Sequence, residues 1–144
     1  MEWSSDAIEW RQTVPVEFNE EIRKLLDGRN FATVATLNRD GGPQTSVVWI
    51  LRDDDTVLFS TTAGRQKARN LARDPRISLT VFDLEDPYRS VEIRGTVELV
   101  ADPEKLLPRT VSHKYLGVDP PPESDDVLRL VVRVKPDRVI GMSV

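Results

Sequence analysis

Apolar and polar residues alternate along most of this chain with the two-residue period of β-strands. The alternation predicts six or seven short strands, at 31–37, 45–51, 56–60, 77–82, 90–100, 127–134 and 139–144. Asp40-Gly41 lies between the first two and is a strong hairpin signal, and the acidic run 52–55 predicts a second turn. Hairpins this closely spaced favour an antiparallel sheet.

Three segments change to the helical period of about 3.6 residues. An apolar stripe predicts a helix over 16–26, and a run of helix formers predicts another over 64–74. Asp102 as N-cap, with Pro103 in the first helical position, predicts a third that extends towards residue 116, with Pro108 interrupting or kinking it. Three helices are too few for a doubly wound parallel sheet. We therefore predict a mostly β fold, a small antiparallel barrel with peripheral helices. Residues 1–15 are interpreted as an N-terminal arm and 16–144 as a single domain.

The composition restricts the chemistry of any active site. The chain has 144 residues, no cysteine and one histidine, His113. Disulfides, thiolate nucleophiles, zinc ribbons and iron–sulfur clusters are therefore excluded, as is any site that needs two imidazoles. Redox chemistry on this chain would require a borrowed organic cofactor.

Other features concern location and partners. No apolar run approaches the ~20 residues of a membrane span, and the polar, acidic N-terminus lacks the layout of a signal peptide. We therefore expect a cytoplasmic protein with no membrane partner. The net charge of −4 argues against a nucleic-acid partner, which would favour a basic protein.

The positive charge of this acidic chain is concentrated in one segment. Between Ser60 and Thr80 there is one anion, Asp74, and there are five cations, which we call the basic island: Arg65, Lys67, Arg69, Arg73 and Arg76. A basic island on an acidic protein indicates one confined anionic ligand. A solvated helix face would give the same count, and charge alone does not separate the two interpretations.

The start of the basic island has the pattern of a phosphate cradle. A strand ends in the hydroxyl residues Ser60, Thr61 and Thr62, a tight turn follows, and a helix opens with Arg65 and Lys67. Free N–H groups at a helix start attract anions, whereas cations there conflict with the helix dipole unless an anion is bound. The alternative is an N-capping threonine followed by solvated arginines. The segment is not a P-loop, because GxxxxGK[ST] is absent.

In their order, several segments resemble one family. They are 43–49 (PQTSVVW), 58–71 (LFSTTAGRQKARNL), 74–79 (DPRISL), 89–98 (RSVEIRGTVE) and 136–139 (PDRV). This series resembles the pyridoxamine 5′-phosphate oxidase-like split-barrel flavoproteins over about residues 16–144. The resemblance implies a six- to seven-stranded antiparallel Greek-key split barrel of the FMN-binding type. It also implies a homodimer with the cofactor across the subunit interface.

The resemblance also implies roles for particular residues. Ser46, Val47, Val48 and Trp49 would line the cofactor ring, mostly through backbone groups. The cofactor phosphate would be held by Ser60, Thr61, Arg65, Gln66 and Lys67. Tyr88, Arg89 and Ser90 would approach the ring from the partner subunit. Trp49 would either stack on the ring or fill the core.

Departures from the vitamin B6 branch narrow the expected activity. That branch extends past the last barrel strand with an Arg- and His-bearing tail, and it has a substrate-phosphate lysine where this chain has Ile50. The layout resembles the branch that uses the deazaflavin coenzyme F420, whose polyglutamate tail would suit Arg69 and Arg73. We therefore expect F420-dependent hydride transfer to a small, conjugated or planar organic substrate. FMN as the cofactor, and a cofactor carrier or sensor without turnover, are the alternatives.

Few side chains suggest a catalytic role of their own. Tyr88 and Ser46 are weak candidates for a proton donor, and the catalytic residues are otherwise unknown. His113 is interpreted as a solvated or hydrogen-bonded histidine, and the acidic run 53–55 as a solvated turn, so we expect no metal site. Trp3 and Trp10, in the N-terminal arm, are expected to cover a partner subunit.

Overall fold

A computed structural model describes residues 16–144, and its centre is one sheet of seven antiparallel strands. The strands are β1 (Ala32–Leu37), β2 (Pro43–Val48), β3 (Leu51–Asp53), β4 (Thr56–Thr62), β5 (Arg76–Phe82), β6 (Ser90–Ala101) and β7 (Arg129–Met142). Their order across the sheet is β2-β1-β5-β6-β7-β4-β3. With three helices around it, the sheet forms a curled half-barrel of the split-barrel type, which confirms the predicted fold class. Trp3, Trp10 and the rest of the predicted N-terminal arm, 1–15, lie outside the described residues.

Two long strands, β6 and β7, form the middle of the sheet. The sequence predicted separate strands at 127–134 and 139–144, which is wrong, because β7 continues through the segment between them. A register shift between Arg94 and Gly95 places Pro136 opposite Gly95, so β7 passes the proline without losing its partner strand. At Gly95 an added Cβ would lie 2.0 Å from the Lys135 carbonyl oxygen, so only glycine fits this close approach.

The first helix, α1 (Glu20–Asp27), begins four residues later than predicted. Asn19 is its N-cap, and its Oδ1 accepts a hydrogen bond of 2.8 Å from the Ile22 N–H. The preceding residues are extended, and the Phe18 N–H donates to the Asp55 carboxylate. The apolar pattern extends to residues before the helix because Phe18, which is not helical, is also buried in the core.

The predicted strand 45–51 is divided by a bend at Trp49 and Ile50, which is a second correction. The Ile50 N–H donates to the Tyr115 hydroxyl at 3.2 Å, and the Ile50 carbonyl accepts from Lys114 Nζ at 2.8 Å. Because side chains from a distant helix take both backbone groups of Ile50, the strand pairing stops there. Part of the predicted turn 52–55 consequently belongs to β3.

The other two helices are α2 (Gln66–Arg73) and α3 (Leu106–Leu116). Lys105 takes the N-cap position predicted for Asp102, so α3 begins three residues later than predicted. Asp102 still caps the helix start, since its carboxylate accepts from the Leu106 and Leu107 N–H groups at 3.0 Å. Pro108 neither interrupts nor kinks the helix as predicted, because it lies in the first turn, where its missing N–H has no helical partner to lose.

The buried apolar side chains form two clusters. The larger fills the inside of the curled sheet beneath α1 and includes Leu26, Val34, Phe59 and Ile93. The smaller joins α3 to the other side of β4 through Leu58, Leu107, Val111 and Tyr115. Since α3 is held against β4 in this way, a groove is left between α3 and the β4–α2 connection.

Candidate functional site

The connection between β4 and α2 forms the floor of this groove. After β4 the chain turns tightly, with the Arg65 N–H donating to the Thr62 carbonyl at 3.1 Å, and α2 begins at the next residue. Arg65 is the N-cap residue, and no side chain of residues 16–144 bonds to the free N–H groups of this helix start. The alternative of an N-capping threonine is therefore wrong, and the helix start remains available to an anion.

Seven of the twelve predicted cofactor residues line one cavity of about 330 Å³, which we call the anion groove. From β2 and the bend after it come Val47, Val48 and Trp49. From β4 and α2 come Ser60, Thr61, Arg65 and Lys67. The remaining lining residues belong to α3, to the loop after it and to the start of β7: Pro108, Val111, Ser112, Pro120 and Arg129.

One buried hydroxyl in the groove lacks a partner, and a largely buried lysine accompanies it. Thr61 is 2% exposed, and its Oγ1 makes no hydrogen bond within residues 16–144. Lys67 is 7% exposed, and burial together with the neighbouring positive charge of Arg65 lowers the pKa of its ammonium group. Buried polar groups are nearly always paired in native proteins, and an unpaired one costs about 1–3 kcal/mol. A donor and a cation left unpaired in one groove are the arrangement that a bound anion would complete.

The charges around the groove all have one sign. Among its lining residues, Arg65, Lys67 and Arg129 are cations, and none is a carboxylate. Sequence reasoning missed Arg129, which was interpreted only as part of a strand. The pairing of β4 with β7 brings it here, since Arg129 is the register partner of Thr62. Its Nη1 lies 3.5 Å from Ser60 Oγ. No local signal in the sequence could have joined positions almost seventy residues apart.

The groove lining also includes an aromatic side chain, Trp49. Trp49 is half-buried and stacks on Tyr115, with ring centroids 5.0 Å apart and planes 9° from parallel. Tyr115 also stacks on Phe31 at 5.8 Å, and its hydroxyl donates to the Asn30 carbonyl at 2.6 Å. Lys114 Nζ, whose pKa burial lowers to about 8, holds the bend beside Trp49. Trp49 therefore both packs against the protein and presents a fixed aromatic surface to the groove.

The rest of the basic island lies outside the groove. Arg69 donates to Gln66 Oε1 at 2.8 Å, and Arg73 donates to the Leu37 carbonyl oxygen. Arg76 pairs with Asp74 at 2.7 Å. A second cavity of about 360 Å³ is lined by Arg76 and Arg94, but both arginines already pair with a carboxylate, Arg76 with Asp74 and Arg94 with Glu92. Arg69 and Arg73, which were predicted to contact a cofactor tail, do not line the groove.

The structure does not bring the other predicted cofactor residues into the groove. Ser46 lies on β2, with its hydroxyl buried and unpartnered among the described residues, and Gln66 bonds to Asn70. Tyr88 is 79% exposed, and Arg89 pairs with Glu21 at 3.1 Å. Ser90 is the register partner of Phe82 at the start of β6. The role of Tyr88, Arg89 and Ser90 in a partner subunit's site stays a prediction.

The remaining polar candidates have structural surroundings. His113 is exposed, and its Nε2 lies 2.6 Å from an Asp119 oxygen, which lowers the pKa of that carboxyl. In the acidic turn, Asp53 pairs with Arg133 and Asp55 with Arg23. Within residues 16–144, no three acidic or histidine side chains form a metal-binding group. None of the three helices combines the length and apolar character that a membrane crossing requires.

One solved structure that is similar to this chain is that of an F420 reductase. That protein shares 31% identity with this chain at a TM-score of 0.76, over 88% of this chain and 98% of its own. A conserved hypothetical protein from Mycobacterium tuberculosis follows with 29% identity and a TM-score of 0.72, over 90% of this chain and 87% of its own.

Characterised sequences give a related result. A pyridoxine/pyridoxamine 5′-phosphate oxidase from Kineococcus radiotolerans is 30% identical over 82% of this chain and 43% of its own length. The oxidase of the same name from Cupriavidus necator is 34% identical over 60% of this chain and 41% of its own. The matches thus span less than half the length of these relatives. The family model described as pyridoxamine 5′-phosphate oxidase matches residues 18–143, so the chain belongs to the pyridoxamine 5′-phosphate oxidase family of split-barrel proteins.

Proposed function

We propose that this chain is an oxidoreductase that binds coenzyme F420 in the anion groove and uses it to transfer a hydride to a small, conjugated or planar organic substrate. The observation that carries the proposal is the lining of the groove. It has three cations, no carboxylate, and a buried Thr61 hydroxyl without a partner. Such a lining suits a phosphate group, which accepts several charge-assisted hydrogen bonds at once.

The lining of the groove suits both parts of such a cofactor. Lys67 and Arg65 supply charge, together with the free N–H groups of the α2 start. Trp49, Val47 and Val111 supply an apolar surface. A flat ring gains from burial against an aromatic face, while its phosphate chain fixes the direction in which it lies. The groove thus matches a ring that carries a phosphate better than it matches either part alone.

The chemistry divides between the cofactor and the chain. When bound, a deazaflavin or flavin ring supplies the hydride transfer, for which this cysteine-free chain has no redox side chain of its own. The side chains would bind and orient: Lys67 and Arg65 would hold the phosphate, and Trp49, held by its stacking on Tyr115, would fix the ring plane. Ser46 and Tyr88 stay weak candidates for a proton donor, because neither lines the groove in the single chain.

A second subunit belongs to the proposal. The split-barrel resemblance implies a homodimer in which the partner's copy of the 88–90 segment approaches the ring. Two observations support this arrangement: Tyr88 is almost fully exposed, and Val47, beside the groove on the edge strand β2, is 65% exposed. A second copy would cover both.

F420 is favoured over FMN by one comparison. The F420 reductase neighbour shares 31% identity with this chain, and the match spans 98% of that protein. The matched B6 oxidases extend well beyond the region they share with this chain, so their activity carries over less directly. FMN is the second candidate, because its phosphate would use the same cations. A carrier or sensor that binds either cofactor without turnover is the third.

A side-by-side titration of F420 and FMN into the purified protein tests this proposal. We expect a fluorescence change with micromolar affinity or better for F420, and weaker binding of FMN. Reduced F420 should then lose its hydride to a panel of conjugated substrates at a rate that depends on the enzyme. Tighter binding of FMN would move the assignment to the second candidate, and binding without turnover to the third. If neither cofactor binds, the proposal is wrong.

A further inference from the structure

Arg129 contacts the groove in a way that differs from Arg65 and Lys67. It begins β7, where its register partner on β4 is Thr62, so Ser60 lies diagonally across from it on the neighbouring strand. Diagonal neighbours in a sheet are within reach of a long side chain. Accordingly, Arg129 Nη1 extends to within 3.5 Å of the Ser60 hydroxyl, and the residue lines the groove.

The other edge of the Arg129 guanidinium is already bound. Its Nε donates to both Glu123 carboxylate oxygens, at 3.1 and 3.2 Å, and its Nη2 pairs with Oε1 at 3.0 Å. Both side chains are about three-quarters buried. The hydrogen bonds from Arg129 lower the pKa of Glu123, so the carboxylate is ionised at neutral pH. This side-on pair leaves the Nη1 donors as the edge that faces the groove.

Glu123 is itself held in place. Lys105 Nζ lies 3.6 Å from its Oε2 and donates to the Ser124 carbonyl at 2.8 Å. The Arg129 carbonyl accepts from the Asp102 N–H, which ties the same strand end to the residue that caps α3. The carboxylate does not line the groove, so it orients the guanidinium without adding a negative charge to the lining.

We propose that Arg129 is a third cation for the bound phosphate and that Glu123 is a positioning residue that turns the free edge of Arg129 into the groove. The inference rests on the proposed function, since it assigns a further residue to the same phosphate. It makes a distinct claim about Glu123. A carboxylate that merely competed with the ligand for Arg129 would weaken binding, whereas one that orients Arg129 strengthens it.

The role of Arg129 is tested with two pairs of probes, in each of which only one member carries the phosphate. The pairs are FMN with riboflavin, and F420 with its phosphate-free deazaflavin fragment. In the full chain, Arg129→Ala should weaken binding of the phosphate-bearing member by about tenfold or more, and that of its partner by less than twofold. Arg129→Lys should restore part of the loss. Arg133→Ala is the matched control, because this second β7 arginine also pairs with a carboxylate, Asp53, but lies outside the groove.

Glu123 variants test the positioning. Glu123→Ala should weaken phosphate-dependent binding by about threefold to fivefold, and Glu123→Gln, which keeps an acceptor oxygen for Arg129, should stay within twofold of the parent. Tighter binding by Glu123→Ala would show competition and overturn the positioning role. If Lys67→Ala loses affinity while a folded Arg129→Ala does not, this inference fails and the proposed function stands. If no probe binds the parent, the proposed function itself fails.

Discussion

The basic island divides into two groups with opposite surroundings. In the groove, Lys67 is buried beside Arg65, and no carboxylate is among the groove-lining residues. Outside the groove, Arg69, Arg73 and Arg76 each have an acceptor supplied by the protein itself. All five cations are alike in a count of charges. The difference is that the second group is bound by acceptors of the fold, while the first lines the groove with no protein acceptor among the described residues.

The two groups also differ in energetic cost. Burying the Lys67 ammonium beside another cation is unfavourable, as the lowered pKa of Lys67 reflects. An exposed arginine paired with a neighbouring carboxylate contributes little in either direction. Lys67 is thus the cation of the basic island whose charge is disfavoured by burial, which is a reason to assign a binding role to Lys67 rather than to Arg69 or Arg73.

The largest expected effect compares two double variants that each remove two positive charges. Lys67→Ala with Arg65→Ala should weaken F420 or FMN binding by about a hundredfold, because each charge-assisted hydrogen bond to a phosphate contributes about 1.5–3 kcal/mol. Arg69→Ala with Arg76→Ala should change the affinity by less than threefold. Fluorescence titration at one fixed salt concentration measures both. Equal losses in the two variants would mean that net charge, and not the groove, attracts the cofactor.

A smaller effect is expected on stability, from the residue that fixes the orientation of α2. Asn70 is fully buried, and its Nδ2 donates to Thr36 Oγ1 at 3.0 Å and to Asn38 Oδ1 at 2.9 Å. Asn70→Ala leaves these two acceptors, on β1 and just after it, without their donor, so the free energy of unfolding should fall by about 2 kcal/mol. Urea denaturation measures this.

Gln66→Ala provides the control for Asn70. Gln66 Nε2 donates to Asn70 Oδ1 at 2.8 Å, but Gln66 is exposed, and water can replace its amide. Its loss should therefore cost no more than about 0.5 kcal/mol. A similar cost for both variants would show that the contacts of Asn70 with β1 do not hold α2 in place.

The sequence was sufficient for the parts of the fold and site that are local. The Asp40-Gly41 turn, the strand periodicity and the strand–turn–helix with Ser60, Thr61 and Lys67 all lie within short segments. Their side-chain pattern and turn chemistry act over a few residues. The groove-lining residues of this last segment could therefore be predicted without knowledge of the tertiary structure. Gln66, in the same segment, was also predicted to hold the phosphate, but it bonds to Asn70 within α2.

Features that depend on distant contacts were not predictable from the pattern. Arg129 reaches the groove only because β7 pairs with β4, and the bend at Ile50 exists because Lys114 and Tyr115 bind its backbone from α3. A single unbroken β7 depends on the register shift opposite Gly95. In each case the deciding partner lies about forty to seventy residues away, and periodicity contains no information on which distant strand or helix will be adjacent.

The smallest expected effect concerns the one hydroxyl in the groove with no partner. Thr61→Val removes the Oγ1 and keeps the shape of the side chain. Since Oγ1 makes no hydrogen bond, the free protein should lose no stability, and a gain of about 0.5 kcal/mol is expected from removing an unpaired buried group. Binding of the phosphate-bearing cofactor should nevertheless weaken by about fivefold, because one neutral hydrogen bond of about 1 kcal/mol is lost.

Thr36→Val is the matched control for Thr61. The Thr36 hydroxyl is equally buried but donates to Gln44 and accepts from Asn70, so its removal should lower stability by about 1–3 kcal/mol. Thermal unfolding of the free proteins and titration of the cofactor give the two quantities separately. If Thr61→Val loses affinity without losing stability and Thr36→Val loses stability, then the Thr61 hydroxyl serves ligand binding and the Thr36 hydroxyl serves the fold. A loss of stability in Thr61→Val would instead mean that the hydroxyl already has a partner within the protein.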